Sequence, residues 1–116
     1  MIRIFIINSD VDFLEILKIA LEIREYDVFY CVDLDIAPII IEEFKPHIII
    51  VDVQQKSFLN LVNDNPAFNK LPTILLSGRN FAPDRKDVQA DEVVEKPFEL
   101  ELLDIKIKKL VSESVY

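Results

Sequence analysis

The chain has 116 residues, the length of one domain, and its formal charge of −8 repels phosphate backbones and anionic lipid surfaces, so no nucleic-acid or membrane partner is expected. Hydrophobic residues make up 51% and charged ones 29%, which is the balance of a soluble globule rather than a disordered chain, and no apolar run approaches the ~20 residues of a membrane span. A single glycine, Gly78, excludes glycine-rich phosphate loops, and one cysteine, Cys31, with one histidine, His47, excludes an internal disulfide and the usual zinc site, leaving carboxylates, hydroxyls and lysines for any chemistry in an expected cytoplasmic setting.

Ile2 to Ile7 is a short apolar run rich in β-branched residues, as expected of a strand buried on both faces. Asn8-Ser9-Asp10 follows, three polar residues of turn and N-cap type. Val11 to Arg24 carries Leu14, Leu17 and Leu21 at i, i+3 and i+7, an amphipathic helix, with Ile16, Ile19 and Ile23 as a second apolar stripe. Tyr26 to Val32 reads as a second strand. Asp35 is placed to cap a helix over Ile36 to Phe44, with Pro38 in its first turn and Pro46 after its end. His47 to Val51 is a third strand running into Asp52, and Phe58 to Val62 a short helix ended by Asn63-Asp64-Asn65-Pro66. Pro72 to Leu76 is a fourth strand, ending at Ser77-Gly78. Asn80 to Gln89 contains Pro83 and leaves room for at most a short helix. Asp91 to Glu95 is a fifth strand, and Phe98 to Val111 a final helix with Phe98, Leu102, Leu103, Ile107 and Leu110 on a broad apolar face. Alternating strands and helices of this kind make a (βα)5 α/β domain, a parallel sheet covered on both faces, over residues 1–116.

In an open parallel sheet, function gathers beyond the carboxyl ends of the strands. Here those ends carry Asn8-Ser9-Asp10, Asp52, Ser77-Gly78 and Lys96-Pro97. A carboxylate, a hydroxyl and an ammonium thus reach one edge, a set suited to phosphoryl transfer, with Asp52 as nucleophile and Ser77 and Lys96 on phosphate oxygens.

Essentially end to end, the chain resembles the receiver domain of two-component response regulators. The resemblance is carried by Lys45-Pro46-His47-Ile48-Ile49-Ile50-Val51-Asp52, by Asp91-Glu92-Val93-Val94-Glu95-Lys96-Pro97-Phe98 and by Pro72-Thr73-Ile74-Leu75-Leu76-Ser77. It implies a flavodoxin-like fold with strand order 2-1-3-4-5. It also implies Asp52 as phospho-acceptor, Ser77 as switch hydroxyl, Lys96 as phosphate-contacting lysine and a cis Lys96–Pro97 bond. The implied role is phosphorelay signalling rather than enzymatic turnover. The implied partners are a histidine kinase or phosphotransfer protein and a downstream protein; with no output domain in these 116 residues, the chain is expected either to signal through a partner or to be a fragment of a longer protein.

The departures from that family are specific. Two adjacent acidic residues usually follow the first strand and hold Mg2+; Asn8 and Ser9 stand there instead. Asp10 is acidic but one position late, and is expected to point elsewhere. A Mg2+ site built from Asp52, the main chain of Gln54, Ser9 and Asn8 is expected to be weak or absent. A charge pair ~4 Å apart is worth roughly 4 kcal/mol at an effective dielectric near 20, before desolvation. Losing two such partners should lower Mg2+ affinity by orders of magnitude, and leaves Asp52 and Lys96 free to pair directly. Val93 replaces the aromatic switch residue, and Val53-Gln54-Gln55-Lys56-Ser57 replaces the glycine-containing loop after the acceptor. The intervals on either side of Ser77 are short, trimming the third and fourth helices.

Other residues have plainer readings. His47 is a strand-edge histidine away from the pocket, Cys31 a small core residue, and Phe58 and Phe81 packing residues. Lys106, Lys108 and Lys109 sit late in the last helix, where cations suit its dipole. The second readings are a phosphorylation-independent pseudo-receiver that works as an interaction module and, for the apolar stripes of the first and last helices with Ile105, a homodimer contact.

Overall fold

The structure, a computed structural model, describes residues 1–55, 57–78 and 90–114. The segment Asn80 to Gln89, with Phe81 and Pro83, lies outside the described residues. The elements in chain order are β1 (Arg3–Ile7), α1 (Val11–Ile23), β2 (Asp27–Cys31), α2 (Ala37–Phe44), β3 (Ile48–Asp52), a 3-10 turn (Val53–Gln55), α3 (Ser57–Asp64), β4 (Thr73–Ser77), β5 (Glu92–Glu95) and α4 (Leu100–Ser114). The five strands form one parallel sheet in the order β2-β1-β3-β4-β5, the flavodoxin-like arrangement expected from the sequence.

The period-2 alternation of the strands divides the core into two layers. Ile4, Ile6, Ile48, Ile50, Ile74 and Leu76 point to one face and meet α1 and α4 through Leu14, Leu17, Leu21, Leu103 and Ile107. Phe5, Ile7, Ile49, Val51 and Leu75 point to the other and meet α2 and α3 through Ile41, Phe58, Leu59 and Val62. Two-sided burial is why β1, β3 and β4 read as unbroken apolar runs. Cys31 is buried with the second layer, and its thiol donates to the Asp33 carbonyl.

Several local expectations need correction. Ile36, not Asp35, occupies the N-cap of α2, and no side chain caps that helix; the nearby Asp33 carboxylate instead accepts from the Asp35 N–H, closing its own turn. Leu102 is 46% exposed, because the buried stripe of α4 runs through Leu103, Ile107, Leu110 and Val111 and includes Asp104. The last helix continues to Ser114, so its lysines are not in the final turn. Two of them find side-chain partners: Lys106 pairs with Glu92 at 3.3 Å and Lys108 with Asp104 at 3.2 Å.

Asp104 is 5% exposed and fully engaged. The Tyr26 hydroxyl donates to Oδ1, while Arg24 and Lys108 reach Oδ2, each at 3.2 Å. Burial alone would raise its pKa, but the Tyr26 hydroxyl and the two cations outweigh burial and hold it below the usual carboxylate range. Burial and the same hydrogen bond push the Tyr26 phenol up. This cluster ties the end of α1 and the entrance of β2 to α4.

At the edge of the sheet where the strands begin, Arg3 and His47 join β1 to β3. The Arg3 N–H donates to His47 Nδ1 at 2.8 Å and the His47 N–H to the Arg3 carbonyl at 2.8 Å. The Arg3 guanidinium caps α2 through the Phe44 and Lys45 carbonyls, at 2.7–3.0 Å. Burial first, then the charges of Arg3 and the amino terminus, lowers the His47 pKa. Its Nδ1 lone pair is already used, so folding favours the neutral ring. The unfolded chain then binds the extra proton, and stability is full above the ordinary histidine pKa of about 6.5 and declines as pH falls through the folded value. His47 is the chain's only histidine. Urea titrations of the wild type are expected to show stability declining from about pH 7.5 to 5.5. His47→Asn, which keeps an acceptor without titrating, flattens that slope; an unchanged slope refutes the assignment.

Candidate functional site

The order β2-β1-β3 makes the gap between β1 and β3 a topological switch point, where connections leave in opposite directions and open a crevice. The register pairs Ile7 with Val51, so the next residues, Asn8 and Asp52, meet there. Asp52 is the last residue of β3 and is 3% exposed. Its Oδ2 accepts from the Asn8 amide at 3.2 Å and from the Lys96 ammonium, with which it forms an ion pair. Its Oδ1 accepts from the Gln54 N–H at 3.1 Å, in the 3-10 turn that follows. The direct Asp52–Lys96 pair expected from the loss of the acidic residues is present.

Lys96 arrives from the far side of the sheet. Ser77 ends β4 beside Glu95, and the Lys96 N–H donates to the Ser77 carbonyl at 2.8 Å. The Lys96–Pro97 peptide is cis, as the resemblance implied. Ser77 is buried at the same edge, but among the described residues its hydroxyl makes no hydrogen bond to Asp52 or Lys96. Val93, at the position of the expected aromatic switch, is half-buried against the second core layer.

The polar turn after β1 has a definite division of labour. Asn8 is 3% exposed and its Oδ1 accepts from the Asp10 N–H at 3.0 Å. Ser9 donates to the Gln54 side-chain oxygen at 3.2 Å, which joins this turn to the one after β3. Asp10 does point elsewhere: it is the N-cap of α1, with Oδ1 accepting from the Phe13 N–H at 3.1 Å. His47 lies at the opposite end of β3 from Asp52 and takes no part.

These donors bear on Mg2+. The ion asks for octahedral oxygen ligands and commonly one or two carboxylates. Asp52 brings one carboxylate, both of whose oxygens are occupied by N–H donors, with an ammonium already in place. Asn8, Ser9 and Gln54 bring only neutral groups. Among the described residues no cluster of three or more His, Cys, Asp or Glu side chains is arranged to hold a metal. Residues 8, 9, 52 and 54 therefore fit Mg2+ poorly while Asp52 is unmodified.

Two side-chain contacts at the site carried no signal in the sequence. Gln54 contributes its side chain as well as its main chain. Phe13 lies with its ring centroid 4.4 Å from Lys96 Nζ; its place three residues after the Asp10 cap was readable, but its contact with a residue 83 positions away was not.

Among solved structures, the chain is similar to the signal receiver domain of a signal transduction histidine kinase from Syntrophus aciditrophicus, with 23% identity over 97% of this chain and 92% of that one and a TM-score of 0.86. It is similar to a response regulator from Desulfuromonas acetoxidans, with 24% identity, full coverage of both chains and a TM-score of 0.81. Chemotaxis protein CheY4 of Vibrio cholerae gives 19% identity, 95% and 98% coverage and a TM-score of 0.83. No protein-family model and no curated protein sequence matches the chain. What these likenesses establish is that the chain has the fold of response-regulator receiver domains.

The ion pair is asymmetric: the Asp52 side chain is 4% exposed and that of Lys96 32%. Removing the cation strands a buried anion, whereas neutralising the anion leaves a cation that can turn to water. Lys96→Met is expected to lower unfolding free energy by about 1–2 kcal/mol, a figure discounted for the exposure of Lys96, and Asp52→Asn by less. Urea denaturation of both variants checks the order, which the reverse ranking would overturn.

Proposed function

We propose that residues 1–116 form a single receiver domain of a phosphorelay, working in the cytoplasm, and that Asp52 accepts the phosphoryl group. The observation that carries this reading is a buried carboxylate at the switch point of a receiver fold, paired with a lysine from the end of the last strand. A carboxylate oxygen of Asp52 attacks phosphorus. The new P–O bond forms as the bond to the donor breaks, and the donor's imidazole nitrogen, or acetate in the case of acetyl phosphate, leaves with the electron pair. Lys96 exchanges its contact with the carboxylate for one with the phosphoryl oxygens, and Ser77 is the second contact. The role is signalling, not turnover of a substrate. A histidine kinase or phosphotransfer protein is the donor, and a protein partner reads the result.

Metal dependence is the unusual part of the proposal. With Asn8 and Ser9 in place of two carboxylates, Mg2+ binding is weak and transfer slow. The alternative, a pseudo-receiver that works as an interaction module without phosphate, is favoured by the engagement of both Asp52 oxygens in the unmodified protein. Intact-mass measurement after incubation with acetyl phosphate and Mg2+ decides between them. The wild type is expected to gain one phosphoryl group slowly, Asp52→Asn none, and the double change Asn8→Asp, Ser9→Asp to label faster at low Mg2+. A wild type that stays unlabelled at every Mg2+ concentration leaves the pseudo-receiver.

Partner binding has its own support. Leu14, Leu17 and Leu21 are buried, and Ile16, Ile19 and Ile23 stand on the opposite side of α1, 57–77% exposed. On α4, Leu102 and Ile105 are also exposed. Single exposed apolar residues are ordinary, but a three-residue helical stripe marks an interaction site. Its rim includes Asp12, Glu15 and Glu22, with Lys18 tied to Glu22 at 3.5 Å. That acidic rim disfavours a second copy of the stripe and suits a helix flanked by lysine or arginine. The homodimer is the lesser reading, and light scattering tests it: a monomer is expected at high concentration, whereas a dimer dissolved by Ile19→Glu would establish self-association.

A further inference from the structure

Phe13 has no part in the roles given to the pocket so far, yet it is the residue on which the Lys96 ammonium rests. It sits in the first turn of α1, half-buried at the margin of the core layer between the sheet and α1 and α4. Lys96 Nζ lies 4.4 Å from its ring centroid and at the same time pairs with Asp52. An ammonium within about 6 Å of an aromatic face is held by the ring quadrupole. The ring is itself anchored, because the Phe13 N–H is the group that the Asp10 carboxylate caps.

We infer that Phe13 is a positioning residue for Lys96, and that Asp10 acts on the pocket through it. The link runs from the Asp10 carboxylate to the first turn of α1, from the Phe13 ring to the Lys96 ammonium, and from there to Asp52. Where the acidic pair is missing, Lys96 is the one cation in contact with Asp52 among the described residues. Its placement then counts for more in meeting a phosphoryl dianion than it would beside a tightly held Mg2+. The step from Lys96 to phosphoryl transfer rests on the proposed role of Asp52 as acceptor; the placement of Lys96 by the ring does not.

The test compares Phe13→Leu and Phe13→Met, which keep an apolar side chain, with Phe13→Tyr, which keeps the aromatic face. In the full chain, the rate of Lys96 acetylation by acetic anhydride at fixed pH is followed by peptide mass spectrometry, and Asp52 labelling by acetyl phosphate is followed in parallel. Leu and Met are expected to raise Lys96 acetylation about two- to fivefold and to slow Asp52 labelling by a similar factor, while Tyr stays with the wild type. The ε-methylene protons of Lys96 are expected to resonate further upfield in the wild type, under the ring, than in Phe13→Leu. If Leu and Met behave as the wild type, or Tyr behaves as Leu, Phe13 is a packing residue and the inference falls. Absence of labelling in every variant would end the acceptor reading, and the acetylation rates would still decide the role of Phe13. Should Phe13→Leu fail to fold by circular dichroism, Phe13→Met supplies the same comparison.

Discussion

A carboxylate that is taken out of water must be met by donors, and the burial of Asp52 sets the arrangement of everything around it. An ionised side chain at 3% exposure is costly unless its oxygens are satisfied. The sheet order supplies the means. Because β1 lies beside β3, the residue after β1 faces the last residue of β3, and Asn8 becomes a donor to Asp52. Because β5 is the outer strand, its exit brings Lys96 back over the edge. The turn after β3 adds a main-chain N–H. None of the three donors is adjacent in sequence to another, so this pocket exists only when the parallel sheet is complete.

The chain buries a second carboxylate, and the contrast is informative. Asp104 is held by the Tyr26 hydroxyl and two cations, Arg24 from the connection between α1 and β2 and Lys108 one turn along α4, whose side chains are 33% and 64% exposed. Asp52 is no more exposed, and its cationic partner, at 32% exposure, is about as open as Arg24. The two acids differ in place rather than in the exposure of their cations: Asp104 lies on a helix packed against the sheet, Asp52 at the carboxyl end of β3 where the crevice opens.

Most of this architecture was legible because its signals are periodic or terminal. Five apolar runs, three of them two-sided, gave strands and a parallel sheet, and the residues ending those runs placed Asp52, Ser77 and Lys96 at one edge. Asp10 was readable as an N-cap type one position too late for the metal. What could not be read were contacts between distant elements that leave no period. Asp104 interrupts an apolar face whose pattern favoured Leu102, and only the approach of Tyr26 and Arg24 makes burying it tolerable. Phe13 looks like any first-turn apolar residue until Lys96 lies over it. The cap of α2 failed for a local reason, since Asp33 two residues upstream takes the turn that Asp35 was expected to shape.

The charge of the pocket also shows why Asn8 and Ser9 matter together. In the Asp52–Lys96 ion pair the two charges cancel. An acyl phosphate would replace the carboxylate charge of −1 by a phosphoryl charge of about −2, leaving an excess of negative charge that Lys96 alone does not cancel. A pocket with two further carboxylates would be negative beforehand, and would recruit a divalent cation before any phosphoryl group arrived. In this chain the unmodified site holds its own lysine against Asp52. If Asp52 is phosphorylated as proposed, the added charge would fall on a site with one lysine and neutral Asn8 and Ser9 around it, so the demand for a further cation would be greatest once the phosphoryl group is in place.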